Sequence, residues 1–285
     1  MTSVAVDVQR PRRRTLAGSL AFVRRHLLTL WAVLFFAYLL LPIAVVAVFS
    51  FNHPRGRFNF TWTGFTWDNW THWNAIPGIQ SAVVLSLEIA VLASILATGL
   101  GTLMALALVR YGFRGRGTTN FIVFLPLSTP EIVLGASLLT LFLNFSTPLG
   151  FWTILIAHVM FCVSFAVVTV KARLVGFDRH LEEAAMDLGA NEWTTFTKVT
   201  LPLIAPAILA ALLLCFAISV DDFVVTYFVA GSRVTFPIFV WGAARVATPP
   251  QINVIGTAIF VVAVTGMLAN ILVQNYRTRK GAAFA

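Results

Sequence analysis

The stretch from Glu182 to Pro202, EEAAMDLGANEWTTFTKVTLP, is a hydrophilic island in an apolar chain. With Asp178 just upstream, Glu182, Glu183, Asp187 and Glu192 gather five of the protein's 11 acidic residues here. Leu181, Ala184, Ala185 and Leu188 recur at helical spacing, which predicts a short helix with one apolar face. Glu182, Glu183 and Asp187 fall largely off that stripe. Asp178 suits the N-cap, and Gly189 suits the left-handed turn that often ends a helix. Asn191 suits the cap of a second short helix, along which Trp193, Phe196 and Val199 recur every three residues. Pro202 is expected to end that segment and begin the next apolar run. An ordinary connection packed on its own protein would carry the same helix–turn–helix pattern.

The surroundings set the class. Of 285 residues, 59% are hydrophobic and 11% charged, against about 25% charged in a soluble domain. Apolar runs long enough to cross roughly 30 Å of hydrocarbon recur along the chain, and helices satisfy their own backbone there. Six spans are predicted: Leu27–Phe49, Ser81–Val109, Thr119–Asn144, Phe151–Val170, Leu203–Val229 and Ile252–Val273. The first run is too long for a signal-peptide core and is read as a retained anchor. With the N-terminus inside, all but Arg55, Arg57, Arg233 and Arg245 of the 20 Lys and Arg face the cytoplasm. The net charge of +9 therefore marks a membrane face and implies no nucleic acid. A basic tail (1–26), a transmembrane domain (27–276) holding the loop 178–202, and a second cytoplasmic tail (277–285) follow. The tryptophan-rich segment around Trp62 and the half-apolar segment GSRVTFPIFVWGAARVATPP lie on the outer side, the latter as a short interfacial or re-entrant helix. Cys162 and Cys215 have no metal-ligand spacing and are expected to be free packing residues.

The loop resembles the EAA loop of permease subunits in binding-protein-dependent ABC importers, whose pattern is E-A-A, three residues, G, nine residues, I-x-L-P. Glu183, Ala184, Ala185, Gly189, Leu201 and Pro202 match at the right spacing, and Val199 replaces the isoleucine. The resemblance implies an all-α membrane protein of six transmembrane helices with the type I ABC importer (MetI-like) permease fold, whose cytoplasmic coupling helices dock on an ATPase. Glu183 would then contribute a polar contact to that ATPase and Gly189 would set the bend. The chain has no G-x-x-x-x-G-K-[ST], so ATP and Mg belong to a partner ATPase dimer and the chain itself holds no cofactor. His26, His53, His72, His158 and His180 form no metal-spaced set, and no nucleophile–base constellation is visible; no enzyme is expected.

Glu88, Glu131, Asp221 and Asp222 lie inside predicted spans. A lipid-facing carboxylate costs roughly 3 kcal/mol on insertion scales, so such residues turn toward a cavity or a partner. At about 1.5 Å per residue, Glu88 lies roughly 10 Å below the outer end of its span, Glu131 about 18 Å above the inner end of its own, and the aspartates about 27 Å above theirs. No basic residue shares this zone within the spans, which suits a cationic cargo. The structural alternative is a protonated carboxyl, or one bonded to a hydroxyl such as Thr140 or Ser219. Pro126 and Pro130 loosen the helix before Glu131, as at the broken helices of transport sites. Adjacent aspartates point about 100° apart on a helix, leaving one for the pore.

STPEIVLGASLL, FWTILIAHVMFCVSFAVVTVKARLVGFD and FAISVDDFVVTYFVAG resemble the second permease subunit of spermidine/putrescine importers, where an aspartate usually stands at the place of Glu131. That resemblance implies that Glu131, Asp221 and Asp222 line a polyamine path, and Trp62 resembles the family's outer-loop tryptophan, whose indole face attracts ammonium groups; an interfacial belt residue is the alternative for Trp62, and Glu88 joins the path as a candidate on its place in a span alone. It implies a second homologous permease, an extracytoplasmic polyamine-binding protein and a bacterial inner-membrane location with both termini cytoplasmic. The alternatives are an ABC permease for an aminophosphonate, ferric iron or another amine, and an ion-coupled secondary transporter.

Overall fold

A computed structural model describes residues 15–282, with the side chains of 15–25, 267, 270 and 273–282 excepted. The tail before residue 15, residues 283–285 and the side chains of Arg277, Arg279 and Lys280 lie outside the described set. The chain forms α1 (Thr15–Phe49), α2 (Asp68–Thr71), α3 (Ile79–Arg110), α4 (Arg116–Ser128), α5 (Glu131–Asn144), α6 (Phe151–Val175), α7 (His180–Asp187), α8 (Glu192–Thr195), α9 (Leu201–Asp221), α10 (Val224–Val229), α11 (Phe236–Ala244) and α12 (Pro250–Ala282). Among the described residues the extended backbone makes only an isolated bridge, Asn52 to Phe65. Among the described residues four helical stretches are long and apolar enough to cross a membrane: His26–Phe49, Ile79–Arg110, Phe151–Val175 and Glu192–Asp221. Counting α4 and α5 as one bent span makes five. The sixth expected span falls in α12, whose described apolar stretch is Pro250–Gly266.

The residues form two compact units. One joins the chain through Thr71 to the segment from Pro250 onward. There α1 packs on α12. The loop between α1 and α2 is held by amides: Asn52 Nδ2 donates to Asn59 Oδ1 (2.6 Å) and Thr61 O (2.7 Å), and Asn69 Nδ2 donates to Asn52 O (2.7 Å) and Ser50 O (3.0 Å). Phe51 sits among Phe65, Trp67 and Trp70 with ring centroids 4.8–5.5 Å away. Buried amides thus pin a loop whose sequence advertised only its aromatics.

The other unit, His72–Pro249, is built on α3, α6 and α9. Small residues allow this. In α3, Ala90, Ala93, Ala97, Gly101 and Ala105 lie on the buried face; a Cβ on Gly101 would stand 2.5 Å from that of Ala166 in α6. Small-residue faces of this kind replace the hydrophobic drive that lipid cannot supply. Cys162 and Cys215 are free and buried where α6 meets α9, each thiol directed at the other's carbonyl (3.6 and 3.4 Å).

Two expected spans are broken. The third is two helices bent by 109° at Thr129–Pro130, because Pro130 lacks an N–H and holds its predecessor extended. Counting residues along a straight helix therefore overstates the depth of Glu131. The fifth stops at Asp221, and Asp222 is extended (φ −64°, ψ 117°) before α10 begins. Its start also differs from expectation. Pro202 does not separate two segments, because α8, a wide π turn at Phe196–Thr200 and α9 run on as one helix, Glu192–Asp221. The N–H of Leu201 reaches back to Phe196 O, and Pro202, which has no N–H to give, sits in the first turn beyond. The segment 231–250 contains α11, in line with the short helix expected there.

Candidate functional site

A cavity of about 480 Å³ opens where the two broken helices meet. Its wall includes Glu131, Asp221 and Asp222 together with Phe161, Phe165 and Phe223. Three of the residues singled out in the sequence are thus brought together. Glu131 stands in the first turn of α5 just after Pro130, where the helix's positive end favours a carboxylate. Close packing of α5 on α10 holds that end in place: a Cβ on Gly135 would lie 2.6 Å from Phe228 Cδ2. Asp221 is the last helical residue of α9 and is exposed. Asp222 also lines the cavity although it follows directly. The two side chains are not held about 100° apart, because the helix ends between the two residues.

Asp222 is not a bare carboxylate. Its side chain is 8% exposed, and Oδ2 accepts hydrogen bonds from the Thr226 N–H (2.8 Å) and hydroxyl (2.6 Å). The N–H bond caps the first turn of α10, so the residue anchors the break that forms the cavity. Behind it lies His158 on α6, 2% exposed, with Nε2 3.4 Å from Asp222 Oδ2. Nε2 also meets Thr226 Oγ1 (2.8 Å), and Nδ1 meets Ser219 Oγ (2.6 Å). The expectation that nothing basic shares this zone therefore holds for Lys and Arg in the cavity wall but overlooked an imidazole. The only sequence signal was a lone histidine inside an apolar run. Thr140, weighed as a partner for a membrane carboxylate, donates instead to Ala136 O in its own helix (2.9 Å).

Two expected site residues lie elsewhere. Glu88 is exposed on α3 and does not line this cavity. Trp62 belongs to the first unit, where its half-exposed ring meets Phe49 edge-on at 6.3 Å. From the cavity wall, Phe223 continues to Tyr227 (5.5 Å) and Trp241 (5.3 Å), and the Arg245 guanidinium lies over the Trp241 ring at 4.8 Å.

The EAA-like loop is the second candidate surface. Gly189 has φ +89°. The Ala190 N–H bonds back to Ala185 O (3.1 Å) and the Gly189 N–H to Met186 O (2.9 Å), a glycine-terminated helix end as expected. Asn191 Oδ1 caps α8 through the Thr194 N–H (2.8 Å). Asp178 Oδ1 accepts from the His180 N–H (3.0 Å), although the residue directly before α7 is Arg179, one position later than predicted. The two glutamates divide. Glu182 turns inward and meets the Arg110 guanidinium and the Thr200 hydroxyl in close contacts. Glu183 is exposed and takes His180 Nδ1 at 3.0 Å. That hydrogen bond, then the nearby Asp178 and Glu183 charges, raise the His180 pKa above its ordinary value. Leu188, 90% exposed, and Trp193, 73% exposed, leave the apolar face uncovered. Basic residues used above as markers of one membrane face also act as braces: Arg179 Nη2 donates to Val109 O (3.2 Å) and Lys171 Nζ to Asn120 Oδ1 (2.7 Å).

Residues 97–280 match the family described as "Binding-protein-dependent transport system inner membrane component". The chain is 39% identical over 249 residues to the spermidine/putrescine transport system permease protein PotC of Escherichia coli, covering 86% of this chain and 92% of that one. It is 40% identical over 248 residues to the Haemophilus influenzae protein of the same name (86% and 93% covered). Against the putrescine transport system permease protein PotI of Escherichia coli it is 38% identical over 248 residues (82% and 86%). Among solved structures, it superposes with TM-score 0.61 at 18% identity on a chain of a bacterial ABC transporter importing the acidic polysaccharide alginate (94% and 99% covered). A chain of the MetNI methionine ABC transporter in an inward-facing conformation gives TM-score 0.52 at 16% identity (74% and 97%). These two likenesses bear on the fold, the permease fold of type I ABC importers.

Proposed function

The chain belongs to the inner-membrane components of binding-protein-dependent transport systems, and we propose that it is the polyamine-conducting permease subunit of an ATP-driven importer, carrying spermidine or putrescine into the cytoplasm. The observation that supports this cargo is one cavity between two broken helices, walled by Glu131, Asp221 and Asp222 and by no Lys or Arg. Ammonium groups spaced along a flexible chain can meet several such carboxylates in turn, and the phenylalanines around them cover the methylenes. The names of the relatives point the same way.

In this reading both termini and the loop 178–202 face the cytoplasm, within a transmembrane domain spanning 27–276. The uncovered face of α7 and α8 docks on an ATPase dimer that holds ATP and Mg, with Glu183 as a polar contact and Ala184 and Ala185 permitting close approach. Gly189, Leu201 and Pro202 fix the bend and the entry into α9. A second permease completes the path, and Glu88, exposed on α3, belongs to the face turned toward it. An external binding protein delivers the amine, and Trp62 is a candidate contact for it on the outer side. Nucleotide-driven movement reaches the cavity along one continuous helix, since Glu192–Asp221 runs unbroken from the coupling loop to the first cavity aspartate.

Uptake of radiolabelled spermidine and putrescine by cells carrying Glu131→Gln or Asp221→Asn tests the cargo. Both carboxylates are exposed, so an ammonium pairing with either contributes about 1 kcal/mol, and each variant should raise KM roughly fivefold. Unchanged uptake in both would remove the acidic path. A cognate binding protein whose melting temperature rises with an aminophosphonate or ferric iron, and not with polyamines, would change the cargo while keeping the permease.

A further inference from the structure

His158, buried behind Asp222, is an ionisable group to which the proposed function gives no task. Both ring nitrogens are engaged, and with Asp222 ionised and the ring neutral the protons can run in only one direction. An ionised Asp222 can only accept, so the Thr226 hydroxyl gives its single proton to Oδ2 at 2.6 Å. Thr226 Oγ1 then has only lone pairs to offer His158 Nε2 at 2.8 Å, and Nε2 must carry the ring proton. A neutral ring leaves Nδ1 bare, and the Ser219 hydroxyl fills it at 2.6 Å. Every donor is used once, in one direction: Ser219 to His158 to Thr226 to Asp222. The chain links α9, α6 and α10, and the two ends of the α9 break are tied to the same ring.

We propose that His158 is a positioning residue that holds Asp222 ionised and aimed into the cavity through a neutral relay, so that its negative charge is kept for a cation. An Arg or Lys in this place would supply the same hydrogen bond and cancel the charge. A doubly protonated imidazole would do so as well, and Ser219 would have to turn from donor to acceptor. The other titratable groups around the ring are Asp221 and Glu131 in the cavity wall and Cys162 one turn along α6, itself against Cys215. Neither carboxylate supplies a countercharge. The last clause of the proposal rests on the polyamine reading; the relay itself does not.

The test uses the assembled importer with its partner permease, ATPases and binding protein in proteoliposomes. His158→Asn keeps a donor or acceptor near Nδ1, whereas His158→Gln reaches the Nε2 position. With the relay, H158A and H158N raise the KM for spermidine about fivefold, the effect of losing one hydrogen bond between the neutral ring and the hydroxyl that holds Asp222, with kcat little altered. H158Q recovers most of that loss. A purely structural role predicts instead that Asn and Gln behave alike and that kcat, assembly and melting temperature fall together; that pattern overturns the proposal. A second arm needs no cargo. Infrared spectra of the purified chain in nanodiscs should show a protonated-carboxyl band in H158A that is absent from wild type and disappears in H158A/D222N. No new band in H158A overturns the proposal. If the wild-type complex takes up neither spermidine nor putrescine, the cargo reading fails, and the infrared comparison still decides the role of His158.

Discussion

The carboxylates of the cavity and those of the 178–192 loop are the same chemical groups in opposite company. In the loop each structurally engaged acid has a cation or a backbone donor within reach: Glu182 has Arg110, Glu183 has His180, and Asp178 has the N–H of His180. In the cavity Asp222 is held by a hydroxyl, an amide and an imidazole, Glu131 sits on a helix start, and Asp221 is exposed. The loop uses Glu182, Glu183 and Asp178 as partners for its own chain in order to hold a shape. The cavity fixes its carboxylates mainly with dipoles and leaves their charge outstanding. A negative site that bound a countercharge permanently would have nothing left to attract a passing cation.

The most severe way to break this contrast is to give the cavity a cation of its own. Glu131→Lys should cut polyamine uptake roughly a hundredfold or more, since juxtaposing like charges costs several kcal/mol. The variant should still assemble with the ATPase, because the loop is untouched; uptake and co-purification measured on one preparation separate the two effects. The reverse operation removes the cation from the loop. Arg110→Ala leaves Glu182, whose side chain is 13% exposed, without its guanidinium. A loss of about 1–2 kcal/mol follows from a charge-assisted bond at a partly exposed site. The expected readout is a lower melting temperature and ATP hydrolysis that no longer accelerates with loaded binding protein, while the KM for the amine stays put. Adding Glu182→Gln to Arg110→Ala should cost little more, as the pair acts as one unit.

How far the two regions could be read in the sequence differs for a physical reason. The loop is local. Asn191, Gly189 and the stripe Leu181, Ala184, Ala185, Leu188 act within a few residues of themselves, and the chain's own spacing declared the helix, the turn and the cap. What was missed there was tertiary: Glu182 pairs across 72 positions with Arg110 and so points inward rather than off the stripe. Pro130 announced the break before Glu131, although not its 109° angle. The break at Asp222 had no such herald. It contains no Gly or Pro, and the residues on either side of it, Ser219 and Thr226, meet one imidazole 61 and 68 positions earlier in the chain, His158. A hydrogen-bond relay between three helices leaves no periodicity to find.

A gentler probe works on the loop's backbone alone. Gly189 has φ +89° with nothing within 4 Å of where a Cβ would stand, so Gly189→Ala meets no steric obstacle and reports only the left-handed conformation. That conformation costs an alanine about 1 kcal/mol or slightly more. Hydrogen exchange at the Ala190 amide, which closes the helix on Ala185 O, should quicken about fivefold. Amides in α10, tied to the cavity, should not respond.

The smallest expected effect lies at the loop's surface, at the pair His180 and Glu183. The His180 pKa is raised by the Glu183 hydrogen bond and then by the charges of Asp178 and Glu183. A raised value means the pairing is fully present at pH below histidine's ordinary titration range and is lost as pH climbs through the raised one. Both side chains are well exposed, so solvent screens the interaction, and the melting temperature should hardly move. The titration itself is readable by NMR of the His180 ring. Glu183→Gln should lower its midpoint toward the ordinary value, and added salt should do the same. Glu131→Gln should leave it alone. A midpoint that followed Glu131→Gln as closely as Glu183→Gln would mean that the two regions share one electrostatic environment, and the separation between a loop that pairs its acids within the chain and a cavity that leaves their charge outstanding would fail.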